Sequence, residues 1–478
     1  MSPHNLIGWT CAGLVLGAVC AAAVERDSTD TRPNILWVIL EDTNDWMGCY
    51  GDTLARTPNI DKLAADGIRF DRAYMTAGIC SPARSALITG MYQTSINAQH
   101  HRSSRPAEDP EMWEPNYIGV LTVTELFRQA GYYTFSEGTQ KDDYNFVWEA
   151  NRLYDWHRHH LGFEGARDGS GWSGVPEGQP FFGQIQLLGG KHSDVEAVTN
   201  RAAVEVPPYY PDHPVIRDRI AHHYDTIVES DRELGEILDR LKEDGLYENT
   251  VIMFFSDHGM ELLRHKQFLY EGGIRVPFII TGPGLPEGES RGDLVSAIDI
   301  GPTSLVLAGI PVPDHMHGRD ALDDDFDRQY VIAARDRAGI AIDRIRSVTT
   351  DNYKYIRNYM TDRPWMQPQY RDTHEHTIVM KRLYEEGQLD EAQARFMGPE
   401  RPAEEFYDLQ ADPHEINNLV HDPRFGEELA RHRRLLAKWK IETDDKGQYP
   451  ESKRELRGIL RNRAHLVVNP EFDLVEEN

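Results

Sequence analysis

The chain has 478 residues, 40% of them hydrophobic and 27% charged, the balance of a globular protein with room for two domains or for one large domain and an appendage. Asp and Glu (78) outnumber Lys and Arg (51), giving a net charge of −27. Such a surface argues against nucleic acid or an anionic membrane as partner, and an anionic substrate would have to meet positive charge concentrated locally.

Leu6 to Ala23 is apolar and rich in small residues, and Ala21-Ala22-Ala23 offers a cleavage site. Residues 1–23 therefore read as an export signal rather than an integral membrane anchor, and the mature chain is expected to be periplasmic or secreted. Cleavage there leaves Cys49 and Cys80, too few for a disulfide framework; a bridge between these two is conceivable and would remove Cys80 as a nucleophile. Asn34 to Leu40 is an unbroken apolar run of strand length, as in a parallel sheet covered on both faces. It ends abruptly in Glu41-Asp42. Acids at the carboxyl end of a buried strand lie where open α/β sheets place ligands, which favours a cation site. Thr57-Pro58 opens a helix that Gly67 stops.

Cys80-Ser81-Pro82-Ala83-Arg84 then leads into Ser85-Ala86-Leu87-Ile88-Thr89-Gly90. The pattern is a polar loop feeding a short apolar helix over Arg84 to Thr89, with Gly90 as its stop. Cys80 is thus expected just outside a helix N-terminus, where free N–H groups and partial positive charge suit an anion. His100, His101 and Arg102 follow as a cationic cluster and are candidates for the lining of a substrate pocket. Thr124 to Ala130 reads as a helix and Tyr132 to Phe135 as a strand. Residues 146–179 carry Trp148, Trp156 and Trp172 with His157, His159 and His160, the residue types of a sugar-binding rim.

Pro180 to Leu188 is a further strand, ending in Gly189-Gly190-Lys191-His192. From Val215 apolar residues recur at helical spacing until Gly245, with His222 and His223 expected on the exposed side. Val251 to Phe255 is a second doubly buried strand, ending in Asp257-His258. If it lies parallel beside the first, Glu41, Asp42, Asp257 and His258 converge. Three carboxylates together need a cation, and oxygen ligands favour a hard one such as calcium or magnesium. Ile274 to Ile280 reads as one strand. Residues 346–357 alternate as an antiparallel hairpin does, and Phe425 to Lys440 is an amphipathic helix. The whole is an α/β sandwich, residues 33–345, with a smaller α+β C-terminal subdomain, residues 346–478.

The run from Cys80 to Gly90 resembles the signature of the type I, formylglycine-dependent sulfatases, Cys-x-Pro-x-Arg with its following helix. Lys266, four residues before Tyr270-Glu271-Gly272-Gly273, extends the resemblance, as does Lys141 at the Lys of a Gly-Lys-x-His motif, with Asp143 in the place of the His. Glu41 stands where the family usually has Asp. The resemblance implies the alkaline-phosphatase-like fold and a Cys80 converted to formylglycine by a maturation enzyme. It implies one calcium ion held by Glu41, Asp42, the residue at position 80, Asp257 and His258. Arg84, Lys141 and Lys266 would neutralise the sulfate. Lys191 or His192 would contact it, and His258, His192 or a nearby acid would move the proton. Glu-Asp, Asp142-Asp143-Tyr144-Asn145-Phe146 and Gly-Gly-Lys resemble the branch of heparan N-sulfatases and bacterial polysaccharide sulfatases, hence a sulfated carbohydrate substrate. The alternatives are a phosphate or phosphonate ester hydrolase of the same superfamily and a catalytically degenerate protein that binds sulfated glycan. The sequence leaves the oligomeric state open.

Overall fold

The computed structural model describes residues 31–101, 115–138, 141–159, 171–463 and 467–476. The expected export signal (residues 1–23), Arg102 and His160 lie outside them. The main sheet contains β1 (Asn34–Leu40), β2 (Ile68–Tyr74), β3 (Tyr133–Gly138), β4 (Trp156–His159), β5 (Phe181–Gln186), β6 (Thr250–Ser256), β7 (Arg275–Val276), β8 (Phe278–Thr281) and β9 (Glu289–Ser296). Their order is β4-β3-β5-β1-β6-β8-β2-β7, with β9 pairing on β2. Strand β1 runs parallel to both neighbours, β5 and β6, so the centre of the sheet is parallel.

Every residue of β1 is buried, because each face of the strand has its own cover. Ile35, Trp37 and Ile39 pack with Ala83 and Leu87 of the helix Cys80–Thr89 and with Ile300 and Leu305 of the helix Ala297–Leu307. Leu36, Val38 and Leu40 pack with Ile227, Leu234, Ile237 and Leu241 of the long helix Pro214–Glu243. The alternation is the two-residue period of a strand, doubled by two apolar layers, and it makes the α/β sandwich. The stretch expected as one strand from Ile274 splits into β7 and β8 around Pro277, which has no N–H for the ladder.

A second, antiparallel sheet holds β10 (Val331–Arg335), β11 (Ile345–Thr349), β12 (Tyr353–Asn358) and β13 (Glu404–Asp408), in that order. Its first strand lies ahead of residue 346. The helix Gly426–Glu442 covers it, packing Leu429, Leu436 and Trp439 on Ile332, Val348 and Phe406. This is the α+β appendage to the alkaline-phosphatase-like core. Among the described residues no helix is long and apolar enough to cross a membrane.

Two expectations need correction. His223 is buried, 3% exposed, because it lies under the Trp46 ring rather than on the open side of its helix. Trp172 packs against Phe135 in the core and its Nε1 donates to Asp244 at 2.8 Å, so it serves the sheet and not a sugar rim.

Candidate active site

The register of β1 and β6 builds the site. Leu40 and Ser256 are partners at the carboxyl ends of the two strands, so Glu41-Asp42 and Asp257-His258 leave the sheet side by side. The Asp42 N–H donates to Asp257 Oδ1 at 3.1 Å, and Asp42 itself turns through a left-handed conformation at φ 49°, which a short Asp side chain tolerates. The Gly189–Lys191 turn closes over them, with the Gly190 N–H donating to the Glu41 carbonyl at 2.7 Å. A side chain at Gly190 would collide with the Asp42 carbonyl, so glycine is what lets Lys191 approach.

Cys80 is the first residue of its helix, one place further in than the sequence suggests, because Ile79 takes the extended N-cap position. Its Sγ lies 3.1 Å from His258 Nε2 and 3.7 Å from Lys191 Nζ. Cys49 and Cys80 are both free thiols. His258 Nδ1 donates to the Gly259 carbonyl at 2.9 Å, which orients Nε2 toward the sulfur. Burial alone would push the Cys80 thiol up, but Lys141, Lys191, Lys266 and His258 outweigh it and bring it down to about 7. Burial disfavours a charged His258, yet Asp257, Cys80 and Asp42 raise it to about 9.

Three buried carboxylates and four fixed cations surround the sulfur. Arg84 donates from Nε to Asp257 at 3.0 Å, from Nη2 to Glu41 at 2.9 Å and from Nη1 to Gln186 at 2.5 Å. Lys141 pairs with Glu41 at 2.9 Å, Lys191 also pairs with Glu41, and Lys266 donates to Asp42 Oδ2 at 2.5 Å. Against the cost of burial, Lys141, Lys191 and Arg84 hold Glu41 well below the usual carboxylate range, and Lys191, Lys266 and His258 do the same for Asp42. The surplus of cations suits an anionic ester. Ligand atoms of Asp42, Cys80, Asp257 and His258 all lie within 4.8 Å of one another, and Asp42 Oδ1 is buried with no hydrogen-bond partner. A buried carboxylate oxygen that makes no hydrogen bond, faced by His258 Nε2 at 3.3 Å and Lys191 Nζ at 3.6 Å in such a group, fits a bound cation.

Comparison with known proteins bears on this geometry directly. The profile of the Sulfatase family matches residues 33–310, and that of the C-terminal region of N-sulphoglucosamine sulphohydrolase matches residues 259–399. An ulvan-active sulfatase of Formosa agariphila is 31% identical over 476 residues, covering 88% of this chain and 77% of the relative. The chain belongs to the sulfatase family. Human N-sulphoglucosamine sulphohydrolase is 25% identical over 90% of this chain and 94% of its own. The fold matches the structure of BT4656 in complex with its substrate D-glucosamine-2-N,6-O-disulfate, with a TM-score of 0.61 at 19% identity over 87% of this chain and 98% of that one. The Asp42, Cys80, Asp257 and His258 group is thus the site of a sulfatase-type hydrolase.

Within this sulfatase site, Lys191 rather than His192 is the neighbour of Cys80. The His192 ring faces Glu233 of the long helix at 3.3 Å. Glu41 lies outside the four-residue group and gathers Arg84, Lys141 and Lys191 instead. His100 lies 3.8 Å from Glu451, and the His101 N–H donates to Arg337, both toward the C-terminal segment. Two supporting groups escaped the sequence reading. Gln186, a polar residue at the end of an apolar strand, accepts from Arg84; Arg371 Nη2 donates to the Lys266 carbonyl at 3.2 Å. The first carries a signal in its position, the second none.

Proposed function

We propose that this sulfatase removes sulfate, as ester or N-sulfate, from a sulfated polysaccharide or oligosaccharide, with formylglycine made from Cys80 as nucleophile and one calcium ion at Asp42 and Asp257. The observation that carries the reading is the Cys80 side chain set between His258 and Lys191 in a cluster whose cations outnumber its carboxylates. The ulvan-active and N-sulphoglucosamine relatives support a sulfated sugar as substrate. Residues 1–23 direct the chain to the periplasm or outside the cell, where such polymers are met.

The Cys80 sulfur stands in for the formylglycine oxygen. A bound calcium would supply Lewis-acid polarisation of a sulfate oxygen and a fixed template for the reacting groups. The remaining roles fall to the chain. His258 Nε2, at the residue-80 side chain, holds or accepts the nucleophile's proton. Arg84 fixes Glu41 and Asp257, and Lys141 and Lys266 offset charge as it develops on the sulfate oxygens. Lys191 has a side-chain exposure of 25%, against 2% to 10% for Arg84, Lys141 and Lys266, so substrate enters over it.

The deciding experiment is sulfate release from ulvan and from N-sulfated glucosamine, followed by ion chromatography, with and without calcium. A maturation enzyme in the host is expected to lighten the tryptic peptide Ala73–Arg84 by the thiol-to-aldehyde difference, and Cys80→Ala to lose sulfate release by at least about a thousandfold. An unmodified thiol in active protein would remove the formylglycine assignment. Turnover of a phosphonate monoester in preference to both sulfated substrates would replace the reaction class.

A further inference from the structure

The long helix Pro214–Glu243 and the segment around His374 enclose a cavity of about 300 Å³, at the lower end of the range for small-ligand pockets. Each wall is tied to one site lysine. On the helix wall His222 Nε2 donates to the carbonyl of His192 at 2.9 Å, the residue after Lys191. On the other, Arg371, just ahead of His374, donates to the carbonyl of Lys266. The cavity therefore lies beside the catalytic cluster, between the segments that carry Lys191 and Lys266, where the part of a substrate beyond its sulfate can go.

Its chemistry is mixed rather than cationic. Arg219 is its one arginine or lysine and is already paired with Glu261 at 3.5 Å. Asp218 is held by Arg201, and Glu375 adds an exposed carboxylate. His376 is 5% exposed, and its Nε2 is buried without a hydrogen-bond partner, a costly state that a bound hydroxyl would relieve. Burial, then Arg219, holds His376 down at about 3, and burial also lowers His222 and His374. Neutral imidazoles each offer one donor and one acceptor, as a sugar hydroxyl does. A second sulfate or a uronate would instead meet Glu261 and Glu375, with the charge of Arg219 already offset by Glu261 while its N–H groups can still donate to a hydroxyl.

We propose that this cavity is the subsite for an uncharged, hydroxyl-bearing sugar ring, with Arg219, His374 and His376 as its specificity-determining residues. The inference rests on the sulfated-glycan reading above, which supplies the reason for a sugar beside Lys191. The test is saturation-transfer NMR on the full chain with D-glucose, D-galactose, L-rhamnose and N-acetyl-D-glucosamine, which needs no turnover. Transfer to at least one neutral sugar is expected in the wild type and is lost in the double variant Arg219→Ala/His374→Ala, both positions being partly exposed. His374→Ala alone serves if the double variant melts early. Against a sulfated oligosaccharide the variant raises KM by about tenfold, the loss of one good polar contact, with kcat within about twofold. Absence of transfer to all four sugars in the wild type, equal transfer in the variant, or stronger transfer to D-glucuronate than to any neutral sugar overturns the proposal. Sulfate release without sugar transfer sinks the subsite alone; sugar transfer without sulfate release from any glycan sinks the sulfatase reading alone.

Discussion

Glu41 holds three cations with one carboxylate, and its reach is what allows it. Arg84 comes from the helix below, Lys141 from the segment after β3 and Lys191 from the turn after β5. Glu41→Asp keeps the charge and withdraws it by one methylene. We expect the fold to survive and kcat/KM to fall about 10- to 100-fold, the usual effect of losing a partner that orients site residues. Steady-state kinetics beside a thermal melt checks this, and an unchanged kcat/KM would show that the cations need no such anchor. The residue scale is also where the sequence is hardest to read. Adjacent acids after an apolar strand mark a site, but which acid faces a metal and which faces lysines depends on cations from three distant segments. Lys191 and His192 are likewise neighbours in the chain, and only the turn decides which of them meets Cys80.

The Gly189–Lys191 turn acts as a hinge plate between β5 and the acids of β1. Gly190→Ala would drive a methyl group into the Asp42 carbonyl, and the turn would lift, taking Lys191 from Cys80. An expected fall in kcat/KM of about 10- to 100-fold, with KM rising more than kcat falls, separates this from loss of the nucleophile. A second junction joins the two sheets. Lys354 of β12 pairs with Glu271 at 2.6 Å and Glu415 at 3.3 Å, with Lys354 and Glu415 buried and Glu271 half-buried. Burial, then repulsion from Glu271, raises Glu415 to about 7 despite Lys354. Its folded pKa lies above the unfolded value of 4.5, so the native state binds the extra proton between these limits, and this group's contribution to stability falls as pH rises from about 4.5 to about 7. Glu415→Gln should flatten that part of a urea-unfolding stability profile; an unaltered slope would assign it to other groups. At this scale the sequence was most legible. The two doubly buried strands ended in acids, and the parallel pairing inferred from them is the one observed, because continuous apolar runs leave a strand few other places to sit. The break at Pro277 was visible too, and lost only because its flanks were equally apolar.

Across the whole molecule, a net charge of −27 surrounds a site rich in cations. A polyanionic substrate is repelled at long range and attracted at short range. Raising salt from about 0.01 M to 0.15 M shortens the screening length from about 30 Å to about 8 Å. That should increase kcat/KM on a long sulfated polymer more than on a sulfated monosaccharide, measured side by side; a monotonic fall for the polymer would mean the site's own field dominates. The cover over the nucleophile has a separate outcome, in the order of events. Cys80 is 2% exposed, beneath Lys191 and against the floor of β1 and β6. On the formylglycine reading proposed above, an enzyme that rebuilds its side chain would have to reach it while the chain is still open. Each molecule would then be committed once, at birth, to one of two fates, and a culture in which folding outruns maturation would hold two populations that no later incubation could interconvert.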